Sequence, residues 1–461
     1  MNYLVVGAGN ASRPVARLLN HLGHNVVITD VKDISEFKIE FQRSLREMES
    51  EGVKLDMANP DPSLDAVDAV YIPPTLPESA PVYKKIKELN LKILSNEEFS
   101  RMVDDCISVD IIGITGTMGK TTTTYITTEI FRAAGYRVWS CSSLVNNLVS
   151  EAIIDGIVKG KSEDCDIAVF ELPHGTIGLL NSLNIKIGLL TNIAEDHLSE
   201  FGGSLELYRK RKLVLEAMSE TFIANYSCFD IINPIRNDAL YYALDEDVDF
   251  KGSVGDESLT VQYKNDSFTT PFYMMSYFFE NSVAASAAAL TYGVKKEDII
   301  TALTDFRGLP AHMDDVGDYN GRRVILDSAF LKEGMKITLD YFRDENVVLF
   351  LDHFDTLSVR DKREVGKLLD EYNLKCVIAS GFNEVTQEVE IDAAFDIIEA
   401  IENPDTKRVA AEDIETAACL TLKYSDPGDI ILHMGPLIAY DRITTVDKIM
   451  KGLEKGSKRY E

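Results

Sequence analysis

The stretch Ile111 to Thr124, centred on Gly116-Thr117-Met118-Gly119-Lys120-Thr121, restricts the fold more than any other part of this chain. Apolar residues suited to a buried strand run into the glycines, and Tyr125, Ile126, Ile130 and Phe131 then recur at helical spacing. The order is strand, glycine loop, helix. A polyphosphate needs such a loop, because Gly116 and Gly119 let backbone N–H groups come close to its oxygens while the helix turns its positive end to the anion. Lys120 is then placed to reach the terminal phosphates, and the Thr121 hydroxyl to bind Mg²⁺. A full P-loop carries another glycine where Ile114 stands, so this is the shorter Gly-x-x-Gly-Lys-Thr form. The competing reading, a glycine-rich turn opening an ordinary helix, is disfavoured by the adjacent Lys and Thr.

A chain of 461 residues divides into three domains at about 150 residues each. The first begins with an apolar run from Tyr3 to Val6, then Gly7-Ala8-Gly9-Asn10-Ala11-Ser12 and a helix carrying Val15, Ala16, Leu18, Leu19 and Leu22. A second strand ends on Asp30. This half-matches a dinucleotide fingerprint, with Ser12 in place of the third glycine, and leaves a nicotinamide or flavin site and some other nucleotide site equally open. Further strands are expected at 69–72 and 92–94, a highly charged solvated helix at 34–51, and a rigid loop at Pro73-Pro74-Thr75 where a ligand can lie. The pattern restarts near residue 106.

The central part alternates strands (138–140, 167–170 and 187–192) with helices, which implies a parallel, doubly wound sheet whose ligands gather at strand carboxyl ends. Glu171, Asp196 and His197 all fall at such ends. A strand-rich part follows from Ile223 to Tyr277, then helices at 281–290 and 298–306, and a second linker at Arg307-Gly308-Leu309-Pro310. Strands at 324–327, 347–351, 376–379 and 429–432 make a third α/β domain. The expected division is 1–105, 106–306 and 307–461, in an α/β chain.

The net charge of −28 repels nucleic acid and anionic membranes, so a phosphate ligand must be held by local devices. The six cysteines show no Cys-x-x-Cys spacing and read as free core thiols of a reducing compartment. No apolar run approaches the ~18 residues that cross a bilayer, and the start lacks a signal-peptide pattern. A cytoplasmic monomer without membrane insertion is expected.

Glu171 is placed to ligate Mg²⁺ together with Thr121, and His197 to act as a second ligand or to orient a phosphate. Asn281, opening its helix, binds nucleotide or serves as a plain N-cap; the sequence leaves both open. Tyr208-Arg209-Lys210-Arg211-Lys212 reads by itself as a solvated cationic helix face.

Taken together, Gly116-Thr117-Met118-Gly119-Lys120-Thr121-Thr122, Glu171, Thr191-Asn192-Ile193, Asp196-His197-Leu198 and Tyr208-x-x-x-Lys212, in this order and spacing, resemble the ATP-dependent Mur ligases, the enzymes that add amino acids to cell-wall precursors. Taken whole, the chain is most similar to the pseudomurein peptide ligases of methanogenic archaea. The resemblance implies a Rossmann-like domain at each end of a central P-loop ATPase domain. It implies that Gly116 to Thr122, Asn281 and Asp327 bind ATP, that Thr121, Glu171, His197 and Lys212 hold two Mg²⁺ ions, and that Lys120, Lys212 and His197 are catalytic, Lys212 as a carbamate. Gly7, Gly9, Asn10, Ala11, Asp30 and Pro73-Pro74-Thr75 would then hold a UDP-linked precursor whose carboxylate is joined to an amino acid. Two landmarks depart from the family: Ala311-His312-Met313 stands where an Arg is usual, and Asp327-Ser328 is followed by Ala329 and Phe330 rather than a nearby Lys or His. Rival readings are a Mur-like ligase for folate polyglutamylation or nickel-tetrapyrrole ring closure, a nicotinamide-dependent oxidoreductase, and a regulatory P-loop protein.

Overall fold

The computed structural model describes residues 1–460 apart from 197, 273–275, 353–361, 384–387, 436–438 and 441–442. Three large sheets carry the fold. The first is all parallel, ordered β3 (Lys54–Asp56), β2 (Asn25–Thr29), β1 (Asn2–Val6), β4 (Ala69–Tyr71) and β5 (Lys92–Leu94). Helices α1 (Ser12–His21), α2 (Ile39–Ser50) and α3 (Pro81–Glu88) connect its strands, and α4 (Asn96–Asp104) leads from β5 towards the second sheet. Its central strand is apolar at every second residue on both faces: Tyr3 and Val5 pack into one core with α1, and Leu4 and Val6 into another with Val70 and Ile86. A parallel strand covered on both sides requires that continuous run.

The charged stretch at 34–51 differs from its expected form. A single turn at Ile34–Glu36 is capped by Asp33, the chain then breaks, and α2 buries Leu45 and Met48 completely. Its charges cover one side of an amphipathic helix rather than a wholly solvated one.

The second sheet contains β6 (Ile111–Thr115), β7 (Val138–Cys141), β8 (Ile167–Glu171), β9 (Ile185–Leu190), β10 (Ser219–Asn225), β11 (Leu240–Leu244), β12 (Phe250–Gly255), β13 (Ser258–Tyr263) and β14 (Asp266–Pro271). Their order is β14-β13-β12-β11-β10-β9-β6-β8-β7, parallel except where β13 and β14 fold back at one edge. The phosphate-loop strand β6 thus lies between β8 and β9, and Ile114 pairs with Glu171 while Thr115 pairs with Leu190. That register brings the ends of three strands to one place. Helix α5 (Lys120–Ala133) follows β6, and α6 (Val149–Val158) follows β7.

The third sheet contains β15 (Asp314–Tyr319), β16 (Arg322–Asp327), β17 (Val347–Asp352), β18 (Cys376–Ser380), β21 (Lys407–Ala411) and β22 (Ile430–Met434), ordered β15-β16-β22-β17-β18-β21, with a short separate pair β19 (Phe382–Asn383) and β20 (Glu388–Val389). Its two edge strands, β15 and β21, have no counterpart in the sequence-based expectation. The first is Asp-Asp-Val-Gly-Asp-Tyr, antiparallel and bulged, and the second is a short, half-exposed Lys-Arg-Val-Ala-Ala. Edge strands with one wet side lack the apolar run that marks the buried ones.

Two compact units form: residues 1–193 with 209–306, and residues 194–208 with 307–461. The first unit contains both of the first two sheets, joined along two seams. On one, α4 supplies polar groups to the segment after β8: Asn96 Nδ2 donates to Gly178 O (2.8 Å), and Ser100 Oγ and Asp104 Oδ1 accept from the Ser182 and Asn184 amides (2.8 and 2.7 Å). On the other, α1 lies against α6. Helix α6 reaches its sheet through Gly156, where a Cβ would stand 2.4 Å from Trp139 Cζ2, and the indole in turn packs edge-on against Phe170 at 4.8 Å. Gly156→Ala should therefore lower unfolding stability by about 1–3 kcal/mol, measured as a shifted urea midpoint at unchanged slope; a midpoint equal to wild type would show that the helix and indole separate without cost.

Candidate active site

The loop after β6 is fixed by contacts that only glycine tolerates. Gly116 has φ +147°, and a Cβ on it would fall 1.9 Å from Thr191 Oγ1; Gly119 has φ +77°, and its Cβ would fall 2.5 Å from Asn281 Oδ1. Each glycine thus meets both a conformational and a steric demand.

Thr191 and Asn192, just beyond β9, clamp the loop. The Thr117 amide donates to Asn192 O (3.0 Å), the Met118 amide to Asn192 Oδ1 (2.9 Å), and Thr191 Oγ1 and Asn192 Nδ2 both donate to Met118 O (2.5 and 3.0 Å). Thr191 is itself braced by Tyr242, whose hydroxyl donates to Thr191 O at 3.2 Å. Burial raises that phenol well above its ordinary value, which keeps it a neutral donor. Beneath the clamp, Thr115 Oγ1 donates to Leu172 O (2.7 Å). Lys120 curls back so that Nζ donates to Thr117 O at 2.7 Å, inside the curve where anionic oxygens would lie. Helix α5 begins at Lys120, and its first-turn amides have no partner within the helix. Thr122, in the same turn, is buried, 2% exposed.

A second cluster sits beside the loop. Glu171, 1% exposed at the end of β8, accepts from Thr121 Oγ1 (3.1 Å), from the Ser143 amide (2.9 Å) and from Ser143 Oγ (2.9 and 3.1 Å to its two oxygens). Thr121 and Ser143 hydroxyls are also 2.9 Å apart. One carboxylate and two hydroxyls, all hard oxygen donors on three adjacent strand ends, fit Mg²⁺ and not a soft metal. The sequence reading names Thr121 and Glu171 for this cluster but not Ser143, although Ser142-Ser143 follow β7 at the same carboxyl edge as Thr121 and Glu171.

Several sequence expectations resolve differently. Asn281 neither opens a helix nor caps one: the helix runs Ser276–Tyr292, and Asn281 lies within it, with Oδ1 accepting from Thr123 Oγ1 (3.3 Å) and pressing on Gly119. The cationic segment at 208–212 is not a solvated face either. It belongs to the helix Leu205–Met218, on which Tyr208 and Lys212 are both 1% exposed, one turn apart. A buried lysine needs compensating partners, as a carbamylated one also would. Asp196 is buried, and His197 lies outside the described residues.

In the second unit Asp327 is buried, with Oδ2 accepting from Thr338 Oγ1 (2.5 Å) and Oδ1 from the Met313 amide (3.2 Å). Burial holds its carboxyl above the usual range. It thereby braces the turn containing Ala311 and Met313, both with positive φ, and His312 Nδ1 lies 3.0 Å from Pro310 O in that turn.

The first sheet gathers its own candidates at the carboxyl ends of β1, β2 and β4. Gly7 has φ +78°, its amide donates to Thr29 O (2.7 Å), and a Cβ on it would meet Pro73 Cγ and Asp30 Oδ2 at 3.6 and 3.9 Å. Asp30 accepts from the amides of Ala8 (2.8 Å) and Lys32 (3.0 Å), so it shapes the loop. Gly9 opens on free space, Ala11 is half-buried, and Asn10, Pro74 and Thr75 are exposed around it. Ser12 replaces the third glycine without strain, since its Oγ donates to Val6 O (2.8 Å).

With this geometry in place, comparison with known proteins is direct. Residues 114–289 match the Mur ligase middle domain. A protein of Methanothermobacter thermautotrophicus without assigned function is 39% identical over 223 residues, 48% of this chain and 70% of its own length. UDP-N-acetylmuramoylalanine–D-glutamate ligase of Christiangramia forsetii is 23% identical over 95% of both chains. Among solved structures, a pseudomurein peptide ligase type C from Methanothermus fervidus superposes with a TM-score of 0.60 at 18% identity, over 98% of this chain and 99% of that one. The domain match, the full-length relative and the shared three-sheet fold converge with the clamped phosphate loop, and the chain belongs to the Mur ligase family of ADP-forming amide-bond ligases.

Proposed function

We propose that this enzyme joins an amino acid to a carboxylate of a UDP-linked cell-wall precursor, and that the precursor is of the pseudomurein type. The observation that carries the chemistry is the juxtaposition of the clamped loop with the Thr121, Ser143 and Glu171 oxygens. Kinship with a ligase of a UDP-linked wall precursor supports the substrate class, and likeness of fold over 98% of the chain to a pseudomurein peptide ligase supports the choice of polymer. Family membership sets aside the nicotinamide oxidoreductase reading, and with it the regulatory P-loop protein.

In this reading residues 1–105 bind the UDP-linked substrate, 106–306 bind ATP and 307–461 bind the amino acid. A carboxylate is a poor electrophile, so its oxygen first attacks the γ phosphorus of ATP, ADP leaves, and an acyl phosphate results. The amine then attacks the acyl carbon, phosphate leaves, and the nitrogen gives up a proton. Amides of the 116–119 loop and of the first turn of α5 would bind the β and γ phosphates, and Lys120 would exchange Thr117 O for a phosphate oxygen. Thr121, Ser143 and Glu171 would hold one Mg²⁺ and His197 with carbamylated Lys212 a second, which together would screen the triphosphate and carboxylate charges. Asp327 would serve the nucleotide through the turn it braces. Gly7, Gly9, Asn10 and Ala11 would cradle the diphosphate, with Asp30 and Pro73-Pro74-Thr75 lining the remainder.

Phosphate release from ATP should require both a UDP-peptide and an amino acid; release that ignores the amine would overturn ligation. Lys120→Ala should lower turnover by about 10²–10³ while leaving the thermal midpoint near wild type, read by steady-state phosphate release. Ser143→Ala should raise the Mg²⁺ concentration at half-maximal rate about tenfold, the size of effect seen for groups that orient metal ligands. An unchanged Mg²⁺ titration would remove Ser143 from the metal site.

A further inference from the structure

Helix α1 carries an arginine where helix electrostatics disfavours one. Arg13 lies in the first turn, at the positive end of the helix, and is 0% exposed. A buried cation in that position needs full compensation, and three separate segments provide it. Nη1 donates to Ala8 O within the first glycine loop (2.8 Å), while Nε and Nη2 bind the two oxygens of Glu151 in a fork (3.0 and 3.1 Å). The guanidinium lies 3.5 Å above the Phe41 ring of α2, and Ser44 of α2 donates to Glu151 Oε1 (2.6 Å). One turn further, Arg17 pairs with Asp155 (2.8 Å), so residues 13 and 17 of α1 match 151 and 155 of α6 as two rungs.

Glu151 is the informative partner. It belongs to the second sheet's helix α6, which starts at Val149, a few residues after Ser143. Its position in the first turn suits an anion, so the two helices share a pair that the α6 dipole favours and the α1 dipole opposes. A contact of this cost is not needed to bury the surrounding apolar residues. What it does is bind a carbonyl of the first glycine loop to the helix that follows Ser143.

We infer that Arg13 is a positioning residue, which holds the Gly7–Ser12 loop against α6 so that the first glycine loop keeps a fixed place relative to the phosphate loop. Its expected consequence is selective. Removing the fork loosens the first loop and its ligand, and leaves nucleotide binding at 116–121 untouched. The binding part of this inference rests on the reading of the first loop as the UDP site; the loop-rigidity part does not.

The test uses the full-length chain in two forms. Glu151→Gln leaves Arg13 buried without its ionic partner, and Arg13→Met with Glu151→Met replaces the pair by apolar groups of similar volume, a change that commonly preserves folding. UDP and ATP affinities are measured by titration calorimetry, and exchange of the 7–12 amides by mass spectrometry. In the double variant, UDP affinity is expected to fall about tenfold, ATP affinity to stay within twofold, and the 7–12 amides to exchange faster, with the thermal midpoint near wild type. Unchanged UDP affinity and unchanged 7–12 exchange in a folded double variant would overturn the assignment and make the pair a structural tie only. A parallel loss of ATP affinity would also overturn it, since the effect would then be general. If wild type binds no UDP, the substrate reading fails, and the exchange measurement alone decides whether Arg13 positions the loop.

Discussion

The contact between the glycine loop and the end of β9 is the constraint on which the first unit is built. Met118 O receives two hydrogen bonds from Thr191 and Asn192, and the Gly116 backbone passes so close to the Thr191 hydroxyl that no side chain fits. That approach requires β6 and β9 to be neighbours, in parallel, with their ends level. The crossover β6-α5-β7 and the return through β8 to β9 satisfy it, and the strand order reverses on either side of β6. A crevice at such a reversal, lined by loop amides and a helix amino end, suits a phosphate ester better than any apolar ligand. In a chain of net charge −28, this local arrangement supplies the attraction that the overall field does not.

The two glycine loops solve the same problem with different materials. The phosphate loop is stabilised almost wholly by its own sheet, through Thr191, Asn192 and Asn281. The first loop borrows part of its support from outside, because Arg13 draws on Glu151. Polar contacts of α4 with the 178–184 segment add a second tie between the same two sheets. Both ties stand beside an apolar core that runs from the first sheet into the second, and both depend on groups that are costly to bury unless matched.

Much of this was legible in the sequence, for identifiable reasons. Parallel strands buried on both faces advertise themselves as runs such as Val-Val-Ile-Thr and Ile-Ile-Gly-Ile-Thr, and residues just beyond strand ends follow in chain order, so the sequence places Thr121, Glu171 and Thr191-Asn192 at neighbouring strand ends, where the structure has them. Edge strands β15 and β21 escaped because half their residues face water. Ser143 escaped because a serine after a strand is unremarkable until the fold sets it beside Glu171. Asn281 was misread because the small residues of its helix hid how far upstream the helix begins. The burial of Tyr208 and Lys212 was hidden by neighbouring charges, which masked an inward-facing pair one turn apart. The engagement of the Asp30 and Asp327 oxygens with backbone amides and a threonine is set by the folded loops and is not legible in the sequence.

The packing of Trp139 gives the protein an internal optical gauge. The sequence contains a single tryptophan, and it is wedged between Gly156 of α6 and Phe170 of β8, the strand that ends in Glu171. Its emission therefore reports one place only, the ground shared by the helix tied to the first sheet and the strand that carries the Glu171 carboxylate. Any rearrangement that slides one against the other changes the indole's surroundings, so the natural chain can be followed by fluorescence without an added label.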